Sequence, residues 1–113
     1  MTKPLSITDN FKDNLAQLPA VDGLDRIDIV TQEGGLITTI PNMDGKRGSL
    51  AVYQYLGQNF SALDKEAAEQ GLALFAEHVA DARANPGAHP NVDLLIQISE
   101  GGDTLQIQPI AAE

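Results

Sequence analysis

An α+β fold is predicted by three features of the sequence. Two segments have apolar residues that alternate on either side of a Glu-Gly-Gly turn, one long segment has apolar residues at helical spacing, and prolines and glycines separate them. The expected architecture is a small, mostly antiparallel sheet from two β-hairpins with helices packed on one face. The element order is α-ββ-αα-ββ, and the pattern leaves strand order open.

Residues 1–8 are expected to form a flexible N-terminal tail and residues 9–113 a single domain. Thr8 or Asp9 can cap a short helix over residues 10–18, in which Phe11, Leu15 and Leu18 share a face ahead of Pro19. Over residues 24–31, Ile27 and Ile29 alternate with Arg26 and Asp28, as in a half-buried strand. Gln32-Glu33-Gly34-Gly35 supplies a hairpin turn, because glycine accepts positive φ. Residues 36–40 return and Pro41 closes the strand. Ser49 is placed as the cap of a helix over residues 50–58, with Val52, Tyr53, Leu56 and Phe60 facing inward.

The long segment, residues 61–84, is predicted to be one amphipathic helix. Ala68, Gly71, Leu72, Phe75, Val79 and Ala82 form its buried seam, and Ser61 with Asp64 forms a capping box. Gly71 in that seam costs about 1 kcal/mol of helix propensity, which marks a point where another backbone comes close. Pro86 ends the helix. Val92, Leu94, Ile96 and Ile98 alternate with Asp93, Leu95 and Gln97 as a third strand. After Glu100-Gly101-Gly102-Asp103, residues 104–110 return with Leu105 and Ile107 inward. Gly-Gly is a generic turn solution, so the two turns point to independent hairpins rather than to a duplicated one.

At 113 residues and 42% hydrophobic content the chain can bury roughly 60–70% of its unfolded surface. Aromatics make up only 4% and there is no Trp, so the core rests on Leu, Ile, Val and Ala. The absence of Cys removes disulfides, thiolate metal sites and thiol catalysis. A net charge of −9 opposes direct binding to nucleic acid and to anionic membranes. No apolar run matches a signal peptide or a membrane span, and a cytoplasmic location is expected.

Three groups of polar residues are candidates for function. Gly45, Lys46, Arg47, Gly48 and Ser49 put two cations and two glycines ahead of a helix, a pattern suited to anion binding although it is not a Walker A loop. Glu77, His78, Asp81 and His89 combine both histidines with carboxylates near one helix end, a set that could hold a metal. Their spacing matches no zinc signature, and the structural alternative has His78 bonded to Asp81 or a carbonyl, with His89 packing or capping the helix C-terminus. Asp9, Asp13, Asp22, Asp25 and Asp28 form an acidic run that is either a solvated face or a surface for a basic partner. No nucleophile stands out, since Ser49 and Ser61 serve as caps and Ser99 approaches a turn.

The stretches GSLAVYQYL, from Gly48 to Leu56, and GLALFAEHVADARANPGAHPNVD, from Gly71 to Asp93, resemble a family of small bacterial proteins described as a domain of unknown function. The AEHxADARANPGxHPN pattern is the specific part. The resemblance implies a bacterial, cytoplasmic protein and brings no activity, cofactor or catalytic residue with it.

The favoured functional expectation is a small acidic interaction or accessory protein, leaning away from enzyme activity, with no cofactor. A two-fold homodimer is its expected assembly, because that is the commonest one. The first alternative is a ligand-, anion- or metal-binding protein or enzyme built on His78, Asp81, His89 and the Lys46-Arg47 loop. Convergence of the two histidines with Asp81 or Glu77 in one concave pocket would favour it, and dispersal would favour the interaction protein. The second is an acidic mimic of nucleic acid that binds a basic protein.

Overall fold

The computed structural model describes residues 7–112, so residues 1–6 of the expected tail lie outside the described residues. Eight elements follow in order: α1 (Phe11–Leu15), β1 (Leu24–Thr31), β2 (Leu36–Pro41), α2 (Arg47–Asn59), α3 (Lys65–Phe75), α4 (Glu77–Ala84), α5 (Pro90–Ser99) and β3 (Leu105–Ala111). The fold is α+β, with a three-stranded antiparallel sheet in the order β2-β1-β3. Ile27 and Ile29 of β1 are fully buried, and they join Ile40 of β2 and Leu105 of β3 in one core with the helices. α2 crosses this face with Leu50, Val52, Tyr53 and Leu56 buried. Tyr53 buries its ring and donates its hydroxyl to the Asn91 carbonyl at 2.6 Å, and burial pushes its phenol well above the ordinary value.

The first hairpin forms as expected. Gly34 takes φ 96°, and Thr31 N–H donates to the Gly35 carbonyl at 2.7 Å. The second hairpin does not exist. Residues 92–98 are part of α5, not a strand, because Pro90 opens a helix at its first position, where a missing N–H and a fixed φ cost nothing. Val92, Leu95 and Ile98 are its buried residues, a spacing of three. The alternation of Val92, Leu94, Ile96 and Ile98 concealed this, since an apolar segment fits both periods.

The second Glu-Gly-Gly therefore has a different role. Gly101 sits at φ 109°, its N–H donates to the Ile98 carbonyl at 3.2 Å, and Gly102 N–H donates to the Gln97 carbonyl at 2.8 Å. This is a Schellman closure of α5. β3 then runs back to pair with β1, Leu105 opposite Thr31 and Ile107 opposite Ile29.

The predicted long helix is two helices broken at Ala76, which has φ 54° and ψ −119°. Its start also differs. Asp64 alone is the N-cap of α3, accepting from Ala67 N–H at 2.9 Å, while Leu63 of the preceding turn bridges to Leu105. Ser49 is not a cap either. α2 begins at Arg47 after Lys46, because Gly45 at φ 84° turns the chain early. At α1 the cap is Asn10, which accepts from Asp13 N–H, rather than Thr8 or Asp9.

Gly71 is a close-approach point, although side chains rather than a backbone come near. A Cβ there would stand 2.7 Å from Leu95 Cδ1 and 2.9 Å from Leu56 Cδ1.

The Ala76 conformation is one that L-residues rarely adopt, and such strain costs about 1–3 kcal/mol. Glycine would remove most of that while adding some chain entropy to the unfolded state. Ala76→Gly is expected to raise stability by about 1 kcal/mol, seen as a higher urea midpoint at unchanged slope.

Candidate functional site

The break at Ala76 builds the site. Breaking the helix leaves carbonyls at the end of α3 without their intrahelical partners, and Asn14 of α1 takes one of them, donating Nδ2–H to the Leu74 carbonyl at 3.1 Å. Asn14 is 1% exposed and also holds Thr8, donating to its carbonyl at 2.9 Å and accepting its N–H at 2.8 Å. In return Glu77, the first residue of α4, accepts the Phe11 N–H at the start of α1 through Oε1 at 2.7 Å. Glu77 is held below the usual carboxylate range by its own backbone N–H and then by that of Phe11. The two segments thus cap each other, and the exchange fixes Phe11 in place.

Phe11 stacks on Phe75 with centroids 5.4 Å apart and planes 14° from parallel. The His78 ring meets the edge of Phe11 at 4.6 Å, and His89 lies 5.3 Å from His78. These rings border a cavity of about 640 Å³. The segment from Gly45 to Ser49 and Lys12 of α1 line the same cavity. The loop residues and the histidines, separate candidates in the sequence, therefore line one concavity.

The details of each group differ from the sequence expectation. Arg47 is engaged by Asp44 at 2.9 Å and Asn42 at 3.0 Å. Lys12 and Lys46 have no ion pair among the described residues. The first turn of α2 carries no acid, and Lys46 makes no side-chain cap, so the N–H groups there have no anionic neighbour from their own helix.

Asp81 binds His89, not His78. Its Oδ2 lies 2.5 Å from His89 Nε2, and its Oδ1 accepts from Asn85 Nδ2 at 3.1 Å. The hydrogen bond from His89 holds the Asp81 carboxyl below the usual range. His89 is the N-cap residue of α5 but makes no side-chain cap there, so its ring is committed to Asp81. Among the described residues His78 makes ring contacts with Phe11 and His89 and no hydrogen bond. Glu77 turns to Phe11, and among the described residues no three His, Cys, Asp or Glu side chains gather closely enough to hold a metal ion.

Of the acidic run, Asp25 and Asp28 flank Arg26 at 2.9 and 3.2 Å, and Asp28 also accepts from Thr39. Asp9 and Asp13 are exposed at α1, and Asp22 is exposed in the loop before β1.

The sequence pointed to the histidines and the loop but missed Phe11, Phe75, Asn14 and Asn85 as builders of the site. For Asn14 a signal existed. It falls on the same helical face as Phe11, Leu15 and Leu18, where a polar residue calls for a partner. For the pairing of Phe11 with Phe75, residues far apart in the chain, no local pattern carries the information.

No helix among the described residues is long and apolar enough to cross a membrane. No curated protein and no solved structure is detectably similar to the chain. Residues 11–109, from α1 through most of β3, match a family described as an uncharacterized protein conserved in bacteria (DUF2322), and the chain belongs to that family.

Proposed function

We propose that this protein binds a small anionic molecule with an apolar, planar body in the cavity between α1, the start of α2 and the junction of α3 with α4. One observation carries the reading. In a chain of net charge −9, three of the seven basic residues, Lys12, Lys46 and Arg47, border one cavity that Phe11 and Phe75 also line. The cavity, about 640 Å³, falls within the range of small-molecule sites, roughly 300–1,000 Å³. The surrounding acid favours a compact anion over a long polyanion, whose outlying charges would be repelled. The convergence of both histidines on this cavity moves the balance from a plain accessory protein to a ligand-binding one.

Fluorescence titration with 8-anilinonaphthalene-1-sulfonate, an anion with a flat apolar body, tests this. The wild type should bind one equivalent saturably. The Lys46→Ala, Arg47→Ala double variant should bind at least about tenfold more weakly, a loss of about 1.4 kcal/mol. Equal affinity in the two proteins, or tighter binding of short DNA than of the probe, would sink the proposal.

A further inference from the structure

We propose that the cavity performs chemistry on its ligand, with His89 as a general base that moves a proton on a carbon next to a carbonyl group. This rests on the ligand-binding reading above. Asn85, Asp81 and His89 form a hydrogen-bonded chain, Asn85 Nδ2 to Asp81 Oδ1 and Asp81 Oδ2 to His89 Nε2, at 3.1 and 2.5 Å. An ionised carboxylate only accepts, so the Nε2 edge of the ring carries the hydrogen. In the neutral imidazole that leaves Nδ1 as the lone-pair nitrogen, and it has no hydrogen-bond partner among the described residues. His89 lines the cavity and Asp81 does not, so the ring separates the carboxylate that orients it from the ligand space.

Asp81 is 53% exposed, and Asn85, one helical turn on, donates Nδ2–H to its Oδ1 at 3.1 Å and to its carbonyl at 3.3 Å, which holds the carboxylate toward His89. Asp81 is a positioning residue, fixing tautomer and ring orientation, and Asn85 supports it. His89 Nδ1 takes a proton from the carbon. The C–H electron pair becomes the C=C bond of an enolate, and the carbonyl pair moves to oxygen. The cationic rim supplies the counter-charge. The proton on His89 exchanges with water, and delivery of a proton from His89 to the enolate oxygen gives the enol, whereas delivery to carbon regenerates the ketone. No oxidant or co-reactant is required. The substrate class is therefore a small 2-oxo acid or related anion with an apolar, planar end.

Phenylpyruvate is the probe, because it combines an aromatic ring, a carboxylate and an acidic methylene beside a ketone. In D₂O, proton NMR follows exchange of that methylene, with equimolar free imidazole as the reference. The wild type should exceed imidazole by ~100-fold, and His89→Gln should lose ~100-fold. Displacement of 8-anilinonaphthalene-1-sulfonate from the wild type by phenylpyruvate shows that this probe occupies the cavity. Asp81→Asn should slow exchange and abolish the Nε2–H pattern of His89 in long-range ¹H–¹⁵N spectra, a change that loss of a merely structural contact would not couple to rate. Displacement without accelerated exchange, or exchange that survives in His89→Gln, overturns the proton-transfer proposal and leaves the binding site intact. Failure of phenylpyruvate to displace the fluorescent anion overturns this proposal, and failure of the fluorescent anion itself to bind removes the ligand-binding reading beneath it.

Discussion

Leu95→Ala is expected to destabilise the protein by about 2–5 kcal/mol, a large share of the roughly 5–15 kcal/mol that holds a domain of this size together. Leu95 is fully buried on α5, and its Cδ1 sits over the bare backbone of Gly71 on α3. Glycine has no side chain that could relax into the space, so most of the void would remain. The measurement is urea denaturation of Leu95→Ala beside Leu94→Ala, whose side chain is only half-buried. The ranking separates two structures of the segment. In a strand of alternating Val92, Leu94, Ile96 and Ile98, Leu94 would be the inward residue and its truncation the costlier one. In the helix Leu95 is, so a larger loss at Leu94 would count against α5.

Asn14→Ala should cost about 2–3 kcal/mol, more than its size suggests. The lost contacts include three hydrogen bonds to backbone groups, to the Thr8 N–H, the Thr8 carbonyl and the Leu74 carbonyl. The last is the heavier loss, because it strands a buried acceptor at the end of α3. The same substitution loosens α1 and with it Phe11, so binding of 8-anilinonaphthalene-1-sulfonate should weaken in parallel. Denaturation and titration of the same preparation, at a temperature where the variant stays folded, check both. A stability loss under about 0.5 kcal/mol would show that water replaces Asn14 at Leu74.

Much of the architecture was legible because local chemistry determined it. Alternation around Gln32 to Gly35 specifies the first hairpin, and the apolar face of Val52, Tyr53 and Leu56 specifies how α2 packs. The errors arose where one signal fits two structures. Glu-Gly-Gly closes a hairpin after β1 and a helix after α5, and what decides is whether Pro90 has already opened a helix. The break at Ala76 was illegible for another reason. Alanine is the best helix former, and the groups that cap the break, Asn14 and the N–H bonded by Glu77, lie in α1. The site was half legible on the same grounds. Its charged and titratable residues stand out by type, whereas the stacked pair of Phe11 and Phe75 that lines it exists only once α1 has docked.

The sheet order places a demand on how the chain is made. β1 is the central strand, yet its second partner is β3, with Thr31 meeting Leu105 and Leu24 meeting Ala111. Pairs so distant in sequence slow folding, since nearly the whole chain must be gathered before they form. On a ribosome, β1 and β2 emerge long before β3, and β1 then presents an open row of hydrogen-bonding groups. Such a row invites pairing with the wrong chain. Asp25, Arg26 and Asp28 put charges along that strand. One guanidinium between two carboxylates leaves a net negative charge there, and before β3 arrives these charges make the bare edge a poor template for aggregation.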